Sequence, residues 1–196
     1  MPQPLNRLQA FYQAAIEQND ACAHFATFIT VDEEGQPASR IVTLRALDEN
    51  GIVLKVNAHS PKIRHWQANG KWELSGFWPL QMVQYRLRGQ ASLGQCEATR
   101  RDWQNRSRAG QLPDLYHQLA RPQSSPLPSR EVLLAEAEAL RQNLPAQVET
   151  PPGVCVLTLR PEFVEIGHAS LADRLHDRRI YRRQAGADWE STILVP

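Results

Sequence analysis

The chain has 196 residues, of which 42% are hydrophobic, 22% are charged and 7% are aromatic, and its formal net charge is +1. This length and composition are typical of one ordinary folded domain and exclude collagen-like, coiled-coil and disordered chains. The near balance of charges gives no support to a nucleic-acid partner. No apolar run approaches the ~20 residues that span a bilayer, and no signal-peptide pattern is present, so we expect a cytoplasmic protein with no membrane partner.

The first half of the chain predicts a helix followed by short strands. Apolar residues recur at helical spacing over residues 4–19. Strand-like runs follow at 25–31, 40–47, 52–56, 72–78 and 82–91, several of them separated by turn signals. A serine cap and a proline open a further helix over 60–68. Short strands at this spacing indicate an antiparallel barrel or sandwich rather than alternating βαβ units.

The second half predicts helices and then a return to strands. Helices are expected over 97–108 and 129–143, with a proline-rich loop over 122–128 between them. Strand signals return at 154–159, 163–166, 179–183 and 189–194. We therefore predict one mainly β domain with flanking helices (α+β) over 1–196. It comprises an N-terminal helix (1–19), barrel strands (20–93), a helical segment (97–145) and C-terminal strands (151–196).

The three cysteines and six histidines give no metal or disulfide signal. Cys22, Cys96 and Cys155 are far apart and form no CxxC pair, so we interpret them as small buried hydrophobes. The Rossmann, P-loop, zincin and α/β-hydrolase motifs are absent from the sequence. No metal site is expected.

Two arginines on one predicted strand could contact an anionic ligand. Arg40 and Arg45 are five positions apart, so they point to opposite faces of the strand unless a bulge intervenes. One could bind a ligand phosphate while the other reaches a second group at the sheet edge. The alternative is that both are solvated arginines on an edge strand.

Two further segments can likewise be interpreted either as ligand-binding or as purely structural. The helix start at Ser60, Pro61 and Lys62 combines free N–H groups, the positive end of the helix dipole and a full charge, which suits a phosphate. An ordinary capped helix explains the same residues. Residues 174–178 alternate arginine, histidine and arginine, and in an extended segment these would share one face suited to an anionic or electron-rich aromatic ligand. A surface salt-bridge run is the alternative.

Taken together and in order, these segments resemble the pyridoxine (pyridoxamine) 5′-phosphate oxidase family of FMN-dependent enzymes. The resemblance extends from about Phe25 to the end of the chain. It is most specific at residues 38–42, Gln84, residues 122–125 and residues 174–178. The fold that it implies is an FMN-binding split β-barrel, which in this family is a homodimer with two FMN sites at the subunit interface.

The resemblance also implies roles for individual residues. FMN contacts would come from Arg40, Ile41, Val42, Thr43, Leu44, Arg45, Lys55, Val56, Ser60, Lys62 and Gln84, and from the partner subunit's Gln123, the partner subunit's Ser124 and the partner subunit's Arg178. Catalytic positioning of the substrate ring over the flavin would fall to Arg174 and His176. The substrate phosphate would be bound at Arg45, Arg106, Asp102 and Gly110.

The chain departs from the family pattern at several of these positions. Lys55 and Val56 replace a Tyr-Thr pair beside the flavin, and Pro61 replaces an arginine that helps to bind the FMN phosphate. A tryptophan expected near the C-terminal strand is missing, where the chain reads Gly167-His168.

In the substrate phosphate pocket the family's tyrosine and serine are replaced by Asp102 and Gly110. A carboxylate there would repel a phosphate unless Arg45 and Arg106 neutralise it.

The implied reaction is a two-electron oxidation. A hydride leaves C4′ of pyridoxine or pyridoxamine 5′-phosphate for flavin N5, and oxygen reoxidises the flavin to give pyridoxal 5′-phosphate and hydrogen peroxide. Arg45 would stabilise the reduced flavin at its N1–C2 edge. Two alternatives stay open. One is a split-barrel flavin oxidoreductase acting on another heteroaromatic substrate, such as a phenazine precursor, and the other is a non-catalytic FMN- or pyridoxal-phosphate-binding protein.

Overall fold

The computed structural model describes residues 3–145, 147–184 and 188–196. Positions 1–2 of the predicted N-terminal segment and 185–187 of the predicted C-terminal segment lie outside these described residues. The described strands are β1 (Phe25–Val31), β2 (Pro37–Asp48), β3 (Gly51–Asn57), β4 (Trp72–Trp78), β5 (Val83–Gly94), β6 (Val154–His168), β7 (Asp177–Arg183) and β8 (Trp189–Leu194). The described α-helices are α1 (Pro4–Glu17), α2 (Pro61–Asn69), α3 (Glu97–Gln104), α4 (Arg108–Leu119) and α5 (Arg130–Asn143).

The strands form one sheet in the order β3-β2-β1-β4-β5-β6-β7-β8, and β3 also pairs with β6. Six strands therefore close into a barrel, while β7 and β8 extend the sheet beyond it. Gly51 marks the closure. Its φ is +138°, and a Cβ built there would overlap the carbonyl oxygen of Leu159 on β6. Only glycine allows this approach of the two backbones.

The chain divides into two compact units. The first comprises Met1–Leu54, His65–Ser92 and Thr158–Pro196, and the second comprises Lys55–Arg64 and Leu93–Leu157. The first unit buries apolar side chains from α1 and most barrel strands, including Leu8, Phe28, Leu74, Trp78, Tyr85, Leu87, Leu159 and Val164. The second unit has a smaller core of Trp103, Leu115 and Val154, against which Leu140, Leu144 and Val148 pack.

The predicted fold class is confirmed as a mainly β split barrel with flanking helices, and several elements match the sequence patterns. β1, β4 and β8 have the predicted bounds, and α5 begins after Ser129, whose hydroxyl accepts a hydrogen bond from the Val132 N–H. The single domain over 1–196 and the homodimer stay predictions.

Three predicted elements, two strands and one helix, had wrong bounds. The strands expected at 154–159 and 163–166 are one 15-residue strand, β6, which continues through Pro161. The strand passes Gly89 of β5, where a side chain would collide with the backbone of residues 160–162, so close backbone contact continues past the proline. The helix expected over 97–108 ends at Gln104, because Ser107 caps a new helix, α4, by accepting from the Gly110 N–H at 3.2 Å.

The cysteines differ in their surroundings. Cys155 is buried, as predicted, and Cys22 is half-buried. Cys96 is exposed, which corrects the prediction, because it stands at the N-cap of α3 with its Sγ 3.3 Å from the Thr99 hydroxyl. Within the described ranges, no helix is both long and apolar enough to cross a membrane.

Candidate functional site

The first unit contains a cleft of about 410 Å³ between the ends of β4 and β6 and the starts of β5 and β7. Its lining includes three residues singled out from the sequence, Gln84, His176 and Arg178. The remaining wall is formed by Phe77, Met82, Tyr85, Arg86, Glu165, Gly167, Ala169 and Pro196. The structure thus brings together side chains that lie more than ninety positions apart in the chain. Apolar walls with a few convergent polar groups are typical of a small-molecule site.

A ladder of alternating charges supports one wall of this cleft. The buried carboxylate of Glu165 accepts hydrogen bonds from Arg178 Nε at 2.9 Å and from Arg86 at 3.3 Å. Arg86 also binds Glu73 through two hydrogen bonds of 3.0 Å, and Arg88 donates to the same carboxylate. Burial works to raise the pKa of Glu73, but the hydrogen bonds from Arg86 and Arg88 outweigh it and hold that pKa below its usual range. The ladder therefore holds Arg178 in one orientation at the cleft.

The segment before β7 is a turn, which corrects the extended geometry considered for residues 174–178. Arg174 has a left-handed backbone with φ +61° and an exposed side chain. The Leu175 N–H donates to the Asp173 carboxylate at 3.0 Å, and the Ser170 N–H donates to His176 Nδ1 at 3.0 Å. His176 and Arg178 line the cleft, whereas Arg174 lies in the turn beside it.

The first helix is tied to the same region. Arg7 of α1 donates hydrogen bonds to the Asp177 carboxylate and to the Tyr181 hydroxyl, both at 3.0 Å. His168 packs edge-on against Phe11 of α1 with 5.5 Å between ring centroids. β7 is therefore held by backbone pairing with β6 and β8 and by the hydrogen bonds from Arg7 of α1.

Strand β2 carries the predicted segment from Arg40 to Arg45. The Arg40 guanidinium donates to the Phe28 carbonyl at 3.0 Å and to the Thr30 hydroxyl at 2.9 Å, and burial lowers its pKa. The pairing register of β2 with β3 shifts between Leu44 and Ala46, so a bulge falls at Arg45. A bulge at this position means that Arg40 and Arg45 need not point to opposite faces of the strand. Because β2 lies between β1 and β3, the edge-strand alternative is wrong.

Between these arginines, the predicted flavin-facing residues follow the strand. Ile41, Val42 and Thr43 pair with β1, and Leu44 pairs with Leu54 of β3. Ile41 is 66% exposed, whereas Leu44 is buried.

The second unit contains the start of α2. Ser60 is buried and donates its hydroxyl proton to the Asn57 carbonyl at 2.7 Å, and its oxygen accepts from Lys62 Nζ at 3.0 Å. A lysine ammonium therefore stands at a helix N-terminus, where backbone N–H groups and the helix dipole also favour an anion. Pro61 occupies the first position of this helix.

The second unit contains three of the four predicted substrate-phosphate residues, Asp102, Arg106 and Gly110, together with Lys55, whereas Arg45 belongs to the first unit. Lys55 Nζ lies 2.6 Å from Asp102 Oδ1, and Arg106 Nε lies 3.4 Å from Asp102 Oδ2. Arg106 also binds Asp114 at 2.8 Å. The hydrogen bond from Lys55 lowers the pKa of Asp102, with a smaller contribution from Arg106. Val56, the residue after Lys55, is buried. Gly110 lies in the first turn of α4 and contributes its backbone N–H to Ser107.

The proline-rich loop of the second unit presents an unsatisfied acceptor. Gln123 Oε1 is buried and has no hydrogen-bond partner within the described ranges, and Ser124 has φ +70°. A buried acceptor without a donor costs about 1–3 kcal/mol, so this atom fits a donor supplied from outside the unit. The residues present fit FMN: Gln123 Oε1 is free to accept a hydrogen bond, the start of α2 favours a phosphate, and the polar cleft residues can bond a ring that carries donors and acceptors.

The barrel, the cleft and the cationic helix start define an FMN-binding split barrel. The family model described as pyridoxamine 5′-phosphate oxidase matches residues 10–144, and the chain belongs to that family. A "Pyridoxine/pyridoxamine 5′-phosphate oxidase" of Pseudoalteromonas translucida (strain TAC 125) is 33% identical, with 98% of this chain and 89% of the relative covered. "Pyridoxine/pyridoxamine 5′-phosphate oxidase 1" of Ralstonia nicotianae (strain ATCC BAA-1114 / GMI1000) is 32% identical, over 100% of this chain and 90% of the relative.

Two solved structures are similar along the whole chain. PhzG from Burkholderia lata 383, in complex with tetrahydrophenazine-1-carboxylic acid, gives a TM-score of 0.83 at 27% identity and covers 100% of this chain and 94% of that chain. A pyridoxamine 5′-phosphate oxidase-related FMN-binding protein of Nostoc punctiforme PCC 73102 gives a TM-score of 0.75 at 20% identity, with 100% of both chains covered, and supports the fold. The chain is thus an FMN-dependent oxidoreductase of this family, and FMN is its cofactor.

The sequence analysis missed Glu165 and Glu73, which hold the arginines of the cleft. A signal was available for Glu165, since a single carboxylate stands inside the apolar run 163–166 and is 8% exposed. A charge in a strand that is otherwise apolar predicts a buried partner.

Proposed function

We propose that this chain uses FMN to oxidise a nitrogen heterocycle, and that the cleft lined by Gln84, His176 and Arg178 takes part in binding both the FMN ring and the heterocycle. The observation that carries the proposal is this convergence of an amide, an imidazole and a guanidinium on one cleft with apolar walls. FMN held by these residues would supply the two-electron redox chemistry, with oxygen as the proposed final electron acceptor.

The residues of the chain divide the remaining work. Arg40, Ser60 and Lys62 would hold the FMN phosphate, and the backbone of residues 41–44 would lie along its ring, with Lys55 and Val56 beside it. Gln84 can both donate a hydrogen bond to the FMN ring and accept one from it, because its side-chain amide has an N–H donor and an oxygen acceptor. Arg45 adds a permanent positive charge that favours an anionic ring. In a homodimer, the partner subunit's Gln123, the partner subunit's Ser124 and the partner subunit's Arg178 would complete the site.

His176 is suited to hold the substrate by donating a hydrogen bond. Its Nδ1 accepts from the Ser170 N–H at 3.0 Å, so in the neutral ring the proton is on Nε2. Nε2–H can then donate to a heteroatom of the substrate. With Arg174 in the adjacent turn, this fixes the reacting carbon, and such orientation supplies a large part of a catalytic rate.

Two substrates have specific support. Pyridoxine or pyridoxamine 5′-phosphate is named for the relatives at 33% and 32% identity, and the residues Arg174, His176 and Arg178 suit it. A different heteroaromatic ring is supported by the likeness to PhzG, whose structure holds a phenazine compound, and by Asp102 and Gly110 in the proposed phosphate pocket. The geometry of the second unit favours this second candidate.

The test is an absorbance spectrum of the purified protein after FMN addition and desalting, followed by anaerobic mixing with pyridoxine 5′-phosphate and, separately, with pyridoxine. Retained yellow colour that bleaches with either compound supports the proposal and ranks the substrates. If the retained colour does not bleach with either compound, the substrate is another heterocycle or the protein binds FMN without catalysing an oxidation. A colourless protein would refute the proposal.

Single substitutions in the turn test the assignment of roles. Arg174→Ala and His176→Ala should each reduce the rate of bleaching while FMN stays bound, because both act on the substrate. Loss of FMN from both variants would show instead that they belong to the cofactor site.

A further inference from the structure

Four charged side chains of the second unit alternate in sign along one chain of contacts. Lys55 contacts Asp102 at 2.6 Å, Asp102 contacts Arg106 at 3.4 Å, and Arg106 contacts Asp114 at 2.8 Å. We call these four residues the charge cluster. Two cations and two carboxylates sum to zero, so the charge cluster has no net positive charge to attract an anion.

Asp102 occupies the place in this cluster where an anionic ligand would bind. One of its oxygens contacts the ammonium of Lys55 and the other contacts the guanidinium of Arg106. An acceptor held between an ammonium and a guanidinium is the arrangement in which proteins bind phosphate or carboxylate groups. Here the chain itself supplies that anion.

The charge cluster is also within reach of a ligand. The side chains of Lys55, Asp102, Arg106 and Asp114 are 29%, 38%, 23% and 25% exposed. Gly110 adds no hydroxyl group, although its Cα faces open room: a methyl group on that Cα would meet only Ser107 Oγ at 3.4 Å and Arg106 Cβ at 3.7 Å. The donors that a phosphate needs are therefore either paired with carboxylates or absent from these positions.

We propose that Asp102 excludes a phosphate group from the charge cluster, so that the heterocycle oxidised by this enzyme carries no phosphate. The inference rests on the proposed function and deepens it by naming the substrate class. A phosphate ester is close to a dianion at neutral pH. To bind here it would have to displace Asp102 from both cations and leave that carboxylate beside it, and like charges at such a distance repel.

The test is the equilibrium binding of a matched ligand pair, 4-deoxypyridoxine and its 5′-phosphate, to the FMN-loaded protein by calorimetry. Neither compound has the C4′ hydroxyl, so neither is oxidised and neither forms an imine with lysine. The wild-type protein should bind the unphosphorylated compound at least as tightly as the phosphate. Asp102→Asn, which keeps the side-chain size, should bind the phosphate roughly tenfold more tightly than wild type, because one negative charge beside it is gone.

Two further variants make the result independent of one substitution. Asp114→Asn should also strengthen phosphate binding, because it frees the same arginine. Glu138→Gln removes an exposed carboxylate that is paired with Arg141 and should leave both affinities within twofold of wild type. Affinity for unphosphorylated 4-deoxypyridoxine should stay within twofold in all variants.

The outcomes separate this inference from the proposed function. A wild-type protein that retains FMN but prefers the phosphate tenfold, or an Asp102→Asn variant with no gain in phosphate affinity, overturns the inference alone. A protein that loses FMN on desalting overturns the proposed function and this inference with it. A phosphate gain in Asp102→Asn and Asp114→Asn but not in Glu138→Gln supports the inference.

Discussion

Glu165→Gln is the most informative perturbation of the cleft, because this buried carboxylate is the only group that the two guanidinium groups of Arg86 and Arg178 share within the described residues. It is 8% exposed and accepts from Arg178 at 2.9 Å and from Arg86 at 3.3 Å. Glutamine keeps one oxygen but turns an NH₂ group toward a guanidinium that also donates. One of the two hydrogen bonds is therefore lost.

The magnitude follows from the surroundings. Breaking a fully buried ion pair costs about 3–5 kcal/mol, and a hydrogen bond to a charged group contributes about 1.5–3 kcal/mol. Arg86 keeps its two hydrogen bonds to Glu73, and Arg178 is 39% exposed, so water compensates part of the loss. We therefore expect a loss of about 2 kcal/mol in the free energy of unfolding, or about 4–8 °C in Tm for a chain of this length.

FMN binding should weaken as well. Arg178 without its carboxylate must lose side-chain freedom when it contacts a ligand, at about 1–2 kcal/mol, which corresponds to about a tenfold higher Kd. The assay is urea unfolding together with an FMN fluorescence titration. Glu73→Gln is the matched control, because it cuts the same ladder on the far side of Arg86. It should lower stability but leave FMN affinity within twofold. The reasoning would be refuted if Glu73→Gln weakened FMN binding as much as Glu165→Gln does. It would also be refuted if the free energy of unfolding of Glu165→Gln were within about 0.5 kcal/mol of wild type, which is the range of surface substitutions.

Other substitutions test separate parts of the molecule. His176→Ala should lower the rate of flavin reduction roughly a hundredfold in stopped-flow measurements with FMN still bound, because orientation of the substrate is lost. Gly51→Ala should lower the free energy of unfolding in urea by more than about 2 kcal/mol, because its φ is +138° and a Cβ there overlaps a β6 carbonyl. Gly35→Ala is the control, and it should lower that free energy by about 1 kcal/mol, because its φ is +80° but the space around it is open. The hydrogen bond from Lys55 lowers the pKa of Asp102, so its stabilisation is present above about pH 5 and is lost as the pH falls through the lowered pKa. Because both side chains are partly exposed, Asp102→Asn should be no more than about 1 kcal/mol less stable than wild type at pH 7. This gap should shrink as the pH falls through the lowered pKa of Asp102, and a gap that is constant with pH would contradict the reasoning.

Local patterns were enough to predict most of the barrel. Strands such as β4 alternate buried and partly exposed residues between clear turns, and α5 has a serine cap at its first turn. These signals are local and need no knowledge of the partner strand. The helix α4 was missed because Pro113 lies inside it, and a proline in a short segment predicts a break.

The sequence predicted which residues belong to the candidate site, but not which of their side chains contact each other. Gln84, His176 and Arg178 were singled out, and the structure brings them to one cleft. Lys55 and Asp102 were noted as two separate departures from the family, and the sequence has no signal that joins positions so far apart. Their contact at 2.6 Å pairs the positive charge of Lys55 with the negative charge of Asp102.

The contact of Arg7 with Asp177 and Tyr181 joins residues 170 and 174 positions apart. Loop closure over such a separation costs conformational entropy before these contacts return any energy. On the ribosome, β7 can dock onto the first helix only after Tyr181 has emerged. The cleft is therefore among the last features to form, and ligand binding by a nascent chain reports that almost the whole chain has folded.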